Sequence, residues 1–215
     1  MSDDLDDLIR RVDPDRWLSS RFVADAALRA DVIAIYAYDH ELARAPKVAS
    51  NALLGEIRLT WWREMLDEAF EGRPVRAHPT AQALAGVIAR RGVPRDLLEL
   101  MIDGRYRELD RTPMSVAEAL SWAIDTAGQA AKIAAYILDP VGDAELAQFP
   151  AVVWALKRRG LGVDAAEAES ARDDARLLSA AAFPSVAHVA LALKPAKSEL
   201  GKRLRVTWAV ATGRL

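Results

Sequence analysis

The sequence predicts an all-α fold. Apolar residues recur at helical spacing along the chain, as at Leu28, Val32, Ile35 and Leu42, which are 4, 3 and 7 residues apart. No segment shows the alternation of apolar and polar residues that marks a half-buried strand. The chain of 215 residues has no internal repeat and no low-complexity linker. We therefore predict a single-domain helical bundle over residues 1–215.

An Asp-Pro-Asp sequence divides the first two predicted helices. Residues 1–12 are predicted to form a short helix that carries Leu5, Leu8 and Ile9 on one side. Asp13-Pro14-Asp15 then breaks the pattern, and either Asp13 or Asp15 is predicted to cap the helix that follows.

An antiparallel helix pair is predicted between residues 28 and 70. Its first helix is predicted to stop at Pro46, because the residue before a proline is pushed out of the α region. Asn51 is predicted to cap the second helix, which runs to about Phe70 and is ended by Gly72.

Two shorter helices are predicted before the longest one. Thr80 is predicted to cap a helix that ends near residue 91, and the next covers 95–109. Ser115 then begins a helix to about residue 138, with Glu118 completing a capping box.

Small residues thin out the surface of this longest helix on more than one side. They let neighbouring helices approach closely, so the helix is predicted to run through the centre of the bundle. These residues are Ala123, Ala127, Gly128, Ala130, Ala131, Ala134 and Ala135.

Proline and glycine positions divide the rest of the chain. A helix over 144–159 is predicted to be interrupted or kinked near Pro150, and another covers 164–182. A shorter helix follows Pro184, and the last covers 202–212.

One stretch, from Ile33 to Phe70, carries a more specific signal. It packs aromatic, arginine and carboxylate side chains together at helical spacing, and its sequence YAYDHELARAPKV followed by LLGEIRLTWWREML resembles the squalene/phytoene synthase family. The resemblance is strongest to a bacterial branch related to a mitochondrial assembly factor for respiratory complex I, and covers about residues 14–72. It implies the isoprenoid synthase fold, a large helical bundle around a deep prenyl pocket, and enzymes that join two prenyl diphosphates.

The resemblance also implies two aspartate-rich motifs on facing helices that hold Mg²⁺, and this sequence departs from both. Aligned through Tyr36, the first motif falls on Ala43, Arg44 and Lys47. The best counterpart of the second motif is 152–159, VVWALKRR, which has bases and no acid. We therefore predict no magnesium site, no other cofactor and no catalytic residues of the family's kind.

Other carboxylates do not replace the missing motifs. Asp39 and Glu41 are two residues apart and therefore point about 200° away from each other around a helix. Glu64 and Glu68 have the spacing of one helix face, but a solvated face with Arg63 and Asp67 paired at the same spacing is favoured. The three histidines, His40, His78 and His188, have no metal-ligand spacing.

Composition excludes several further classes of function. The chain has no cysteine, which rules out disulfides and thiolate catalysis, and its net charge of −2 argues against nucleic-acid binding. The start, MSDDLDDLIRR, is acidic where a signal peptide would be basic, and no apolar run is long enough to span a membrane. A cytoplasmic protein is predicted.

A basic and aromatic set of side chains on the helix pair remains as the predicted ligand site. It consists of Arg29, Tyr36, Asp39, Glu41, Arg44, Arg58, Trp61, Trp62 and Arg63. One interpretation is a pocket for an anionic or isoprenoid ligand. The other is a helix–helix interface in which Glu41, Glu56 and Glu64 pair with the arginines. Trp61 and Trp62 are about 100° apart, so one is predicted in the core and the other beside a groove.

The tail from Lys194 to Leu215 contains six basic residues and one acid, with Trp208 near the basic cluster. Residues 202–215 are predicted either to lie on an anionic membrane surface, at the inner membrane, or to pack on the bundle with a solvated basic face.

These features favour a divergent, non-catalytic member of the resembled family. Its predicted role is isoprenoid or lipid binding, or assembly of a respiratory complex with a protein partner. The alternatives are an active prenyl diphosphate transferase and a helical protein-interaction module that binds no ligand.

Overall fold

The computed structural model describes residues 2–49 and 51–215, and helices follow one another through this part of the chain without a strand. The all-α prediction is confirmed. No helix among the described residues is long and apolar enough to cross a membrane. In chain order the α-helices are α1 (Ser2–Val12), α2 (Pro14–Ser20), α3 (Ala26–Val48), α4 (Ala52–Phe70), α5 (Pro79–Arg91), α6 (Arg95–Tyr106), α7 (Val116–Ala123), α8 (Gln129–Leu138), α9 (Gln148–Arg158), α10 (Ala165–Leu177), α11 (Val189–Leu193) and α12 (Glu199–Thr212).

Several of the predicted caps are present. The Asp13 carboxylate accepts a hydrogen bond from the Arg16 backbone N–H at the start of α2, and Asn51 accepts one from Leu54 at the start of α4. Ser115 and Glu118 form both bonds of the predicted capping box before α7. Each bond satisfies a backbone donor that the first turn of a helix leaves free, which fixes where the helix begins.

The predicted central helix is a continuous rod made of α7, a π-helical segment (Ile124–Gly128) and α8. Its small side chains are buried on two sides. Ala130 and Ala134 belong to one apolar cluster, built mainly on α3, α4, α5 and α6. Ala127 and Ala131 belong to a second cluster, built mainly on α9, α11 and the C-terminal segments. The rod therefore divides the core, as the pattern of small residues predicted.

Close packing against the π-helical segment makes Gly104 of α6 sensitive to substitution. A Cβ atom at Gly104 would lie 2.8 Å from the Thr126 Cγ2 and 2.9 Å from the Asp125 Cβ. We expect Gly104→Ala to lower the free energy of unfolding by about 1–3 kcal/mol, as overpacking of a core typically does, measured by urea denaturation. Gly86→Ala in α5 is the control, since its Cβ would meet only the flexible end of Arg90. An equal loss in both variants would contradict the packing argument.

The predicted end of the first long helix at Pro46 is wrong, because α3 continues through Pro46 to Val48. Leu42 and Ala45, in the turn before the proline, are buried in the core. Tertiary packing of this kind overrides a local preference. Pro46 lies in the last turn of α3, and this turn places Lys47 on a helix.

Three other boundaries also differ from the prediction. Thr80 does not cap α5, which begins at Pro79 with His78 as its N-cap, since proline is preorganised for the first turn. The helix predicted over 164–182 ends at Leu177. Just after it, the Ser179 hydroxyl accepts a hydrogen bond from the Ala182 N–H and donates one to the Asp139 carboxylate, and such side-chain bonds compete with continuation of a helix.

The last helix starts at Glu199 rather than at residue 202, with Ser198 as the N-cap. The predicted break near Pro150 lies earlier, where a 3-10 turn (Ala144–Ala147) meets α9. Pro150 sits in the first turn of α9, where a helix does not need the N–H that proline lacks.

Candidate functional site

An open cavity of about 240 Å³ lies where α2, α3, α6 and the central rod face α9. Its walls carry aromatic rings from three of these elements, Tyr36, Trp122 and Trp154. Most of its charged side chains are basic: Arg16, Lys47, Arg105, Arg158 and Arg159 stand against the two acids Asp13 and Asp39, and His40 also lines the cavity.

One face of α3 forms a wall of the cavity. Tyr36, His40, Ala43 and Lys47 are spaced 4, 3 and 4 residues apart, so they lie on one side of the helix, and all four line the cavity. Burial lowers the pKa of His40, and its imidazole is therefore neutral at pH 7. Arg44 faces away from this cavity, where its guanidinium pairs with Glu41 at 2.9 Å.

Alternating charges form a chain of ion pairs that links the helices around the cavity. Asp39 of α3 receives hydrogen bonds from Arg16 of α2 at 2.6 Å and from Arg105 of α6 at 2.5 Å. Arg16 continues to Asp13 at 3.8 Å, and Arg105 continues to Glu108 at 2.6 Å. These pairs tie three helices together at the floor of the cavity.

Both ends of the chain of ion pairs lie at the C-terminal end of α9. Arg158 reaches Asp13 at 3.1 Å, and Arg159 reaches Glu108 at 2.9 Å. The Arg159 guanidinium also stacks on Trp122, 3.8 Å from the ring centroid. Arg158, the last residue of α9, and Arg159, its C-cap, are therefore positioned by carboxylates on other elements and present their charges at the mouth of the cavity.

Asp39 is the buried centre of this arrangement. Burial by itself would raise the pKa of Asp39, but the charges of Arg105 and Arg16 and their hydrogen bonds outweigh it and lower the pKa from 3.8 to about 2. Asp39 is therefore ionised at all physiological pH values. Both of its oxygens accept hydrogen bonds from arginines. Asp39 therefore has a structural role, as the anion that holds Arg16 and Arg105 in place.

Lys47 differs from the arginines around it. Its side chain is exposed at the cavity, and among the described residues it has no carboxylate partner. The side chains of Arg158 and Arg159 are 45% and 36% exposed in spite of their pairs. The mouth of the cavity thus combines one unpaired cation with two partly solvated guanidinium groups.

Three polar groups in the cavity wall lack a partner in the described part of the chain. They are the Tyr36 hydroxyl, the Trp154 Nε1–H and the Arg105 Nε–H. A buried donor without an acceptor costs about 1–3 kcal/mol. An oxygen-bearing ligand or a water molecule that reached these donors would remove this cost.

A model of the squalene/phytoene synthase family matches residues 9–181 of the sequence. The chain belongs to the squalene/phytoene synthase family. The fold agrees with this, since the structure is similar to the crystal structure of squalene synthase HpnC from Alicyclobacillus acidocaldarius, with a TM-score of 0.62 and 17% sequence identity. The match covers 99% of this chain and 94% of that one. A comparison with curated protein sequences found no significant match.

The side chains of this family member do not fit the magnesium that its family resemblance implies. Among the described residues, the only carboxylates that line the cavity are Asp13 and Asp39, and both are bound by arginines. At the positions of the first aspartate motif, Ala43 and Lys47 line the cavity, and they face Arg158 and Arg159 at the C-terminal end of α9. Across residues 2–49 and 51–215, no three histidine, aspartate or glutamate side chains cluster as metal ligands. Proteins hold Mg²⁺ mainly through carboxylate oxygens, and the described residues offer this cavity no carboxylate that is free of an arginine.

The structure divides the nine predicted site residues among different places. Tyr36 and Asp39 lie at the basic cavity. A second cavity of about 260 Å³ between α3 and α4 is lined by five of the others, Glu41, Arg44, Arg58, Trp61 and Trp62. Arg29 donates a hydrogen bond to the Val23 carbonyl at 2.8 Å, beside a third cavity. Arg63 pairs with Asp103 on an exposed surface.

Two of the carboxylates predicted to form ion pairs between the two helices have other partners in the structure. Glu41 pairs within its own helix, and Glu64 pairs with Arg76 of the loop after α4. Arg63 and Asp67 do not pair with each other, because Asp67 pairs with Arg95. Trp62 is buried in the core and Trp61 is half-buried beside the second cavity, as predicted for neighbours about 100° apart.

Sequence reasoning missed most of the basic cavity. Arg105 lies outside the range of the family resemblance, Arg16 lies near its start and before the stretch from Ile33 to Phe70, and neither belongs to a motif. Arg158 and Arg159 were recognised only as bases in place of acids. The signal that identifies them is in the sequence: bases stand in place of acids at both aspartate motifs, which indicates a site for an anion.

Proposed function

We propose that this chain binds the phosphate or diphosphate head group of a lipid or isoprenoid without magnesium, and that it does not condense prenyl diphosphates. The observation that carries the proposal is the reversed charge of the cavity. Lys47 on α3 and Arg159 at the C-terminal end of α9 lie at positions where the family resemblance implies aspartates on facing helices, and Arg158 adds a third cation to the same cavity.

Cations at these positions suit an anion directly. Guanidinium groups bind phosphate oxygens through two parallel hydrogen bonds, and a lysine adds a point charge. In the family mechanism Mg²⁺ bridges carboxylates and diphosphate. Here the protein's own cations take the place of the metal, and acids that would hold a metal are absent from the motif positions.

The size of the cavity favours a head group over two prenyl chains. Pockets that enclose whole drug-sized ligands measure about 300–1,000 Å³, and this cavity measures about 240 Å³. That volume suits a phosphate or diphosphate with its hydrocarbon outside. Joining two prenyl chains requires both chains to be held together at the reacting carbons.

Isothermal titration with inorganic pyrophosphate and with farnesyl diphosphate tests the proposal. We expect both to bind in the presence of EDTA, with no gain in affinity on adding Mg²⁺. Lys47→Gln is expected to weaken binding about tenfold, as the loss of one charge-assisted contact does. Lys157→Gln is the matched control, because Lys157 lies on α9 without lining the cavity.

Two results would overturn the proposal in different directions. Binding that requires Mg²⁺ would favour an active prenyl diphosphate transferase. Absence of binding with and without the metal would favour a protein-interaction module, which includes the predicted role in assembling a respiratory complex.

A further inference from the structure

The last helix, α12, presents an apolar stripe to solvent. Leu200, Leu204 and Trp208 are four residues apart, so they lie on one face of α12, and they are 67%, 62% and 54% exposed. The opposite face holds the helix on the bundle through Val206 and Ala209, which are fully buried. The predicted packing role of the tail is therefore present, and it leaves the stripe free.

The stripe borders an apolar groove of about 890 Å³ between α10, α11 and α12. Leu193 of α11 forms its other side. Single exposed apolar residues are common on protein surfaces, but a contiguous apolar patch with a polar rim marks an interaction site.

The rim of this patch is basic. Lys194 and Arg205 line the groove, and Lys197 and Arg203 are exposed beside the stripe. Within the described residues none of these four forms an ion pair. Lys202 is neutralised by Glu199 at 2.6 Å. An apolar helix face with unpaired cations beside it and a tryptophan at its edge is typical of a helix that lies in the interface of an anionic bilayer.

We propose that α12 docks the protein on an anionic membrane surface, with Leu200, Leu204 and Trp208 inserted between the head groups and the rim cations on the lipid phosphates. The positive charge of this surface favours an anionic membrane over a second copy of the chain. Residues 194–215 carry six bases and one acid, and the same face of a second copy would repel this excess. The proposal is independent of the head-group cavity.

Co-sedimentation with vesicles tests the proposal on the full chain. We expect binding to vesicles that contain phosphatidylglycerol, weak binding to pure phosphatidylcholine, and release at high salt. Lys197→Gln with Arg203→Gln is expected to weaken binding about 25-fold, since each cation near an anionic surface contributes about fivefold. Arg111→Gln with Lys157→Gln removes the same charge elsewhere and is expected to have no effect.

A second pair of variants tests the apolar stripe. Leu200→Ser with Leu204→Ser is expected to weaken binding at least tenfold, whereas Val116→Ser with Leu177→Ser, equally exposed at 86% and 71%, leaves it unchanged. All four side chains are outside the core, so each variant folds.

Equal binding to neutral and anionic vesicles would overturn the proposal. Self-association of the chain that is lost in the stripe variants would also overturn it, because the groove would then bind a second copy of the chain. Leu200→Ser with Leu204→Ser is expected to leave pyrophosphate binding intact, because neither side chain lines the head-group cavity, so failure at this surface is distinguishable from failure of that cavity.

Discussion

Asp39→Ala is expected to lower the free energy of unfolding by about 3–5 kcal/mol, the cost of removing one partner from a buried ion pair. Asp39 is 7% exposed, and its two arginine partners, Arg16 and Arg105, are 2% and 5% exposed. Without the carboxylate, two guanidinium groups remain in the interior with only Asp13 and Glu108 to balance them. The loss is measured by chemical denaturation.

An exposed ion pair provides the matched control. Asp67 pairs with Arg95, and both side chains are 41% exposed. Asp67→Ala is expected to cost less than about 1 kcal/mol, because water replaces the lost partner and screens the remaining charge. Similar losses at Asp39 and Asp67 would mean that the buried chain of ion pairs does not stabilise the fold.

The pKa of Asp39 gives the same prediction a pH dependence. Its folded pKa of about 2 lies below the ordinary value of 3.8, so the unfolded chain takes up the proton first as the pH falls. The contribution of Asp39 is complete above about pH 4, and is lost between about pH 4 and 2. The shift corresponds to roughly 2 kcal/mol. Asp39→Asn is expected to show a flatter loss of stability over this window than the unmodified chain.

The fold was predictable because local signals and packing agree along most of the chain. Asn51 and the Ser115–Glu118 capping box mark helix starts that can be read from the sequence. The alanines of the central rod predict that other helices pack closely against it on two sides, as they do. The prediction failed where tertiary contacts override a local preference. Pro46 remains helical because the residues before it are buried, and nothing local signals that burial.

The candidate site was only half predictable for a related reason. Tyr36 and Asp39 lie within the recognisable stretch, but the partners of Asp39 are 23 residues before it and 66 after it. Helical periodicity places side chains on faces of one helix and does not say which helices meet. The predicted set therefore joined residues from both sides of α3 into one pocket, whereas the structure places them at different cavities.

Magnesium and farnesyl or geranylgeranyl diphosphate together are expected to give no condensation product with this chain. Enzymes accelerate their reactions by about 10⁶-fold or more. We expect this chain to lack that whole acceleration, so the difference from an active enzyme is large enough to measure. The physical reason is that Lys47, Arg158 and Arg159 repel a divalent cation where the family resemblance implies its ligands. Product extraction and chromatography measure the outcome, and turnover that EDTA abolishes would contradict it.

Restoring the first motif at Ala43, Arg44 and Lys47 is expected to leave the chain inactive, and so is restoring only its two positions that line the cavity. In Ala43→Asp with Lys47→Asp, two carboxylates would line the cavity four residues apart on one face of α3. The facing helix would still present Arg158 and Arg159, whose charges attract the new carboxylates and compete with Mg²⁺ for them. We expect the double variant to lose metal-independent pyrophosphate binding without gaining condensation, whereas Arg44→Asp, outside the cavity, keeps that binding. Condensation by the double variant would show that one restored motif is sufficient, and that the bases on α9 do not block the metal.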